Sequence, residues 1–290
     1  MNQETEEGLF QAVLTHAPVR CVLVRLTDAW QAARQHRSLP AAARDLLGEA
    51  MAATALMTST LKFSGSLSLQ AQTNGPLAWL LCQTDHRLSM RATIRWDSTR
   101  PANDEPGQLA ITINPDDRPQ QYQGLVRFSN QGLAADLEDY YQQSEQLPTR
   151  FWFAVNEQRA AGLLVQRLPH RTGDPDAWSR VQHLANTVSA TELLDLAPHR
   201  LLHRLFHEEG VRMTPPRPLR FQCRCSREKV VDILQMLGRT EVEHVLHEQG
   251  EVAVTCEFCG QITALDAVDI AQLWTDFEPR LPGDTPDNVH

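Results

Sequence analysis

Two short stretches restrict what this chain can fold into more than any others: QCRCS at residues 222–226 and CEFCG at 256–260. One residue separates Cys223 from Cys225, two separate Cys256 from Cys259, and thirty lie between the pairs. In an extended Cys-x-Cys the alternation of side chains puts both sulfurs on one side of the chain. A Cys-x-x-Cys turn presents two sulfurs to a shared metal. The intervening segment carries two helix signals, residues 227–237 closed by Gly238, and a second capped by Thr240 with Glu243 and closed by Gly250. That is enough chain to fold the pairs against each other and build the four-sulfur shell that zinc prefers. A unit of residues 219–275 with few aromatics makes a poor core and calls for such a staple. Cys223, Cys225, Cys256 and Cys259 are therefore the candidate ligands of one zinc ion per chain. Iron–sulfur ligation uses the same thiolates but suits the one-residue spacing less well. A thioredoxin-like role for CEFC lacks the surrounding βαβ unit. His244 and His247 stand beside Glu243 and Glu248 and read as a polar helix face, since four cysteines already fill the shell.

The remaining chain reads as α+β. Residues 40–58 set Leu46, Leu47, Ala50, Ala53 and Met57 on one helical stripe. LKFSGSLSLQAQ then places Leu61, Phe63, Leu67 and Leu69 at period two, with Gly65 marking a bulge or a close backbone approach. Asn74-Gly75 signals a two-residue hairpin. Strand-like runs follow at 88–96, 109–113 and 122–128, then a helix at 133–145 and a strand pair around the loop NEQRAAG. Strands in succession with few crossover helices favour antiparallel sheets packed with helices. From Pro169 breakers and three short helical patterns take over, one opened by the capping box of Ser189 and Glu192, another ending at Gly210. The expected organisation is an N-terminal α+β domain (1–168), a helical linker outside either packed unit (169–218), a small cysteine domain (219–275) and a frayed tail (276–290).

Net charge is −9, and MNQETEEGLF offers three glutamates and no basic residue, so neither a secretory signal nor an anionic-membrane surface is expected. No apolar run approaches the ~18 residues that span a bilayer. A cytoplasmic, reducing compartment follows as the expectation, in which six cysteines serve as metal ligands or redox groups before structural disulfides. Cys21 and Cys82 lie in apolar strand-like runs and read as inert buried thiols. His199, His203 and His207 recur at i, i+4 and i+8 and read as a solvated polar stripe, whose protonation near pH 6 would add repulsion.

Metal thiolates are also the oxidisable form of cysteine. Oxidation removes them as ligands, and with them metal-linked folding free energy of order 10 kcal/mol. An oxidant thereby becomes a loosening signal for the small domain.

Taken together, TLKFSGSLSLQ at 60–70, LEDYYQQSEQLPTR at 137–150, AAGLLVQ at 160–166, LFHEE at 205–209, CRCSRE at 223–228 and CEFCG at 256–260 resemble the heat shock protein 33 family of redox-regulated chaperones over nearly the whole chain. The resemblance implies an ATP-independent holdase, inactive when reduced and zinc-bound, with the four cysteines as ligands. It further implies oxidation to the disulfides Cys223–Cys225 and Cys256–Cys259, zinc release, linker unfolding, and a dimeric active form that captures unfolding proteins. No G-x-x-x-x-G-K, G-x-S-x-G or H-E-x-x-H motif points to an enzyme.

Two rival readings fit the sequence less well. A zinc-ribbon nucleic-acid-binding regulator is opposed by the charge of residues 219–275, five basic against nine acidic side chains, or −4. A thiol oxidoreductase would turn over disulfides catalytically, which a holdase would not.

Overall fold

The computed structural model describes residues 7–275 apart from 63, 103–104, 119, 130 and 170–173. The expected tail at 276–290 lies outside the described residues, as does Phe63 of the expected strand. The chain forms two compact units that divide between Cys223 and Arg224.

The first unit holds two sheets. One runs in the order β10 (Val211–Met213), β1 (Gly8–Leu14), β2 (Val19–Leu26), β9 (Ala160–Arg167), β8 (Thr149–Val155), antiparallel throughout. The other runs β11 (Arg220–Phe221), β5 (Ser89–Trp96), β4 (Leu77–Asp85), β3 (Gly65–Gln72), β6 (Gly107–Pro115), β7 (Tyr122–Phe128), and only its β11–β5 pair is parallel. The α+β reading with antiparallel sheets holds. The β3–β4 connection is wider than the Asn74-Gly75 signal predicts. Pro76 has no N–H for a tight ladder, and the Thr73 hydroxyl instead closes a four-residue loop by donating to Leu77 O and accepting from Gly75 N.

Helix α2 (Ala41–Thr60) lies between the sheets. Its sequence predicts one apolar stripe, yet Ala43, Leu47, Ala50 to Met57 and Thr58 are all buried. A helix covered on two sides has no solvated face to keep polar. Its alanines let both sheets approach, and Gly162 of β9 shows how closely: a Cβ there would stand 2.9 Å from Leu56 Cδ1 and 3.2 Å from Ala52 Cβ. Gly65 is likewise a close approach, with a Cβ position 2.3 Å from Asn114 O. The helix expected at 133–145 begins as α3 (Leu133–Tyr140) and widens into a π turn at Tyr141–Glu145. Tyr140 and Tyr141 are both buried there, their rings edge to face at 5.6 Å.

Strands β1, β2 and β9 are buried on both faces. Leu9, Val22 and Val24 join the core around α2, whereas Phe10, Leu14, Cys21, Leu23, Leu163 and Val165 point the other way. Helices α4 (Ala177–Ala185), α5 (Ala190–Asp195) and α6 (Pro198–Phe206) cover that second face through Val181, Leu193, Leu201, Leu202 and Phe206. The segment read as a linker standing outside both packed units is therefore packed in the first. Apolar residues on both faces of one strand require such a cover, and VRCVLVRL and AAGLLVQR display them in sequence.

In the second unit α7 (Arg227–Leu237), α8 (Arg239–Gln249) and α9 (Ala267–Thr275) surround the hairpin β12 (Val252–Thr255) and β13 (Ile262–Leu265). Among the described residues its buried apolar core is seven: Val230, Leu234, Val242, Val252, Leu265, Ile270 and Leu273. The Thr240–Glu243 cap does not form. The helix cap falls two residues earlier, at Gly238, and Glu243 instead accepts from Arg239 Nε at 2.7 Å, one turn away.

Candidate metal centre

Cys223 and Cys225 follow the point at which β11 leaves its sheet, where Gln222 N donates to Met90 O at 2.8 Å. They precede α7, whose first turn is capped by the Ser226 hydroxyl accepting from Lys229 N. Lys229 Nζ donates to Arg224 O, fixing the carbonyl between the two cysteines. Cys256 and Cys259 occupy the turn between β12 and β13. Cys256 N donates to Gln261 O at 2.9 Å and Gly260 N to Cys256 O at 2.8 Å. Gly260 has φ +73°, a conformation that favours glycine. Gln261 completes the turn and accepts from the Cys225 thiol at 3.5 Å through Oε1.

All four sulfurs lie within 4.8 Å of one another, and Cys225 Sγ is 3.5 Å from Cys259 Sγ. Zn–S bonds of about 2.3 Å in a tetrahedron place sulfurs about 3.8 Å apart, within the range these thiols span. Each of the four cysteines is half-buried, reachable by an ion or a small oxidant. The donor set thus fits a zinc ion and can hold one. His244 is not brought to the cluster; its Nε2 faces Glu248 at 3.3 Å. Cys21 and Cys82 are fully buried, and burial pushes both thiols far above the usual range.

Comparison with known proteins follows the same lines. A family description, "Hsp33 protein", matches residues 7–266. The 33 kDa chaperonin of Nitrosococcus oceani is 41% identical over 275 residues, covering 93% of this chain and 95% of that protein. This chain belongs to the Hsp33 family. The 33 kDa chaperonin of Methylobacillus flagellatus, also 41% identical, extends the match to 97% of this chain and 98% of its own. The crystal structure of the Thermotoga maritima Hsp33 homologue superposes with TM-score 0.77 over 92% of this chain and 97% of that one, at 22% identity, so the fold is shared. Among the described residues no helix is long and apolar enough to cross a membrane.

Sequence reasoning missed the residues that fasten the covering helices of this Hsp33 chain. Arg25 on β2 is fully buried, and its Nη2 donates to the carbonyls of Leu193 and Leu196 at 2.8 and 2.7 Å, at the C-terminal end of α5. Arg159, in the loop between β8 and β9, reaches Leu194 O at 3.2 Å and Asp195 Oδ1 at 3.1 Å. A cation suits a helix C-terminus, and an arginine inside an apolar strand was the available signal. Glu209, the last residue of LFHEE, is 3% exposed and accepts from Arg180 Nε at 2.5 Å and Nη2 at 3.2 Å. Nothing local in the sequence pairs two residues 29 positions apart.

Proposed function

We propose that this protein is a redox-regulated, ATP-independent holdase that binds unfolding proteins under oxidative stress. The reading is supported by one observation: the sulfurs of four half-buried cysteines lie within 4.8 Å of one another. When bound, zinc would hold Cys223, Cys225, Cys256 and Cys259 as thiolates and tie the small unit together. Each cysteine pair then gives two electrons to an oxidant such as peroxide. An S–S bond forms, the O–O bond breaks, and with two protons taken up two water molecules leave. Disulfides Cys223–Cys225 and Cys256–Cys259 close very short loops and restore little of the lost cross-linking.

With its staple gone, the small unit (219–275) loosens, and residues 169–218 act as the metastable segment that follows. Release of α4, α5 and α6 uncovers Phe10, Leu14, Leu23, Trp152, Leu163 and Val165, an apolar sheet face suited to unfolded clients. The 1–168 domain supplies that face, in a cytoplasmic setting, with a homodimer as the active form. The role is one of binding rather than catalysis, and the −4 charge of the small unit opposes a nucleic-acid-binding regulator.

The test treats zinc-loaded protein with peroxide. Zinc release, protease cleavage within 169–218 and suppression of aggregation of a heat-labile protein should rise together and reverse with reductant. Zinc release with a protected segment and unchanged aggregation would reduce the metal to a structural staple.

A further inference from the structure

A second cluster of metal-ligating groups lies on α6 and the turn that follows it. His203 and His207 are exposed, one helical turn apart, with rings stacked at 5.4 Å between centroids and 20° between planes. His207 Nδ1 lies 3.2 Å from His203 O. A carbonyl oxygen only accepts, so Nδ1 carries the proton and Nε2 keeps its lone pair. That is the arrangement in which a second-shell carbonyl orients a metal-binding imidazole. His207 Nε2 in turn faces Glu208 Oε1 at 4.0 Å. The nearby cations are engaged elsewhere: Arg204 pairs with Glu192 at 2.7 Å and Arg180 with Glu209 at 2.5 Å.

We infer that His203, His207 and Glu208 form a binding site for a borderline divalent transition-metal ion, zinc, cobalt or nickel, separate from the four cysteines. Histidines at i and i+4 on one helix face are placed to share one ion. Metal–nitrogen and metal–oxygen bonds near 2.1 Å set ligand atoms about 3.4 Å apart in a tetrahedron. Rotation of the exposed Glu208 side chain closes the gap from 4.0 Å, and rotation of the His203 ring about χ2 turns its Nε2 to the ion while His207 keeps its hydrogen bond to His203 O. Water fills the remaining positions. Imidazole and carboxylate donors favour these ions over magnesium or calcium. Coordination would tie the last turn of α6 to the LFHEE turn and stiffen that part of the cover over the sheet.

The test is an anaerobic cobalt titration of the reduced full chain, followed by absorption and equilibrium dialysis. Cobalt bound to the cysteines shows sulfur-to-metal charge transfer, and cobalt bound to the histidines does not, so the two sites are read separately in one sample. Wild type should take up one equivalent without the sulfur band. The double variant His203→Gln, His207→Gln should weaken that equivalent by at least about tenfold, the lower end of what loss of an outer-shell partner alone costs. Its sulfur-bound equivalent, unchanged, would report an intact small unit, and an unchanged thermal midpoint by Trp152 and Trp178 fluorescence an intact first unit. The variant His244→Gln, His247→Gln should leave the sulfur-free equivalent within about twofold. The inference is overturned if wild type binds no sulfur-free equivalent, or if the His203/His207 variant binds it as wild type does.

Discussion

Replacing Arg180 with alanine should destabilise the first unit far more than replacing its partner Glu209 with glutamine. The asymmetry follows from burial. Glu209 is 3% exposed and Arg180 42%. Without Arg180 the carboxylate stays buried with its main charge partner removed; the pair is half open to water, so the cost is that of one unpaired buried acceptor, about 2–3 kcal/mol. Glu209→Gln keeps an acceptor for the guanidinium and leaves the exposed arginine to water, so the loss is that of one hydrogen bond, about 1 kcal/mol. In a unit of this size each kcal/mol moves the unfolding midpoint by about 2–4 °C. The expected drops are therefore about 4–12 °C for Arg180→Ala and about 2–4 °C for Glu209→Gln. Trp152 on the sheet and Trp178 on α4 both pack into the interface concerned, so intrinsic fluorescence reports it. Cleavage between α4 and β10 should increase in the same order. Equal midpoints for the two variants would refute the claim that the buried carboxylate, rather than the ion pair as such, sets the cost.

Glu49 on α2 is pushed up to about 7 by burial and, secondarily, by Asp45. A raised carboxyl pKa makes the ionised form unfavourable in the fold, so stability falls as pH rises from about 4.5 to about 7. Glu49→Gln should therefore raise the unfolding midpoint at pH 8 and leave it unchanged at pH 5, read by calorimetry. Gly65→Ala should cost about 3 kcal/mol or more in denaturant unfolding, because its Cβ meets Asn114 O at 2.3 Å and Pro115 Cα at 2.9 Å, both backbone atoms. Chelating zinc from the reduced chain should unfold the small unit, since seven buried apolar residues stand against a metal contribution of about 10–16 kcal/mol. Hydrogen exchange should then show α7 and α8 unprotected and β2 and β9 still protected; lasting protection of α7 would contradict it.

Local signals carried the elements well. The Ser189–Glu192 capping box forms with both its hydrogen bonds, and CEFCG forms a turn, between β12 and β13. The four thiols are assembled from spacing that sequence displays directly. What sequence hid was long-range. The apolar stripe expected on α2 became a buried cylinder because a second sheet closes over it, and no periodicity announces a second neighbour. Residues 169–218 looked like a linker because their helices are short and their breakers frequent. Their packing is dictated instead by the outward face of β1 and β2, more than a hundred residues earlier, together with β9 just before them. Arg25, Arg159 and the Arg180–Glu209 pair join elements through contacts that only the fold creates.

The two buried cysteines fall on opposite sides of the five-stranded sheet and of its neighbour: Cys21 points under α4–α6, and Cys82 into the core around α2. The chain therefore carries a built-in pair of probes. A thiol reagent that labels Cys21 while sparing Cys82 would time the opening of the sheet's outer face in the native molecule, with no added dye and no engineered residue. Simultaneous labelling of both would mean that the whole unit, rather than its cover, had come apart.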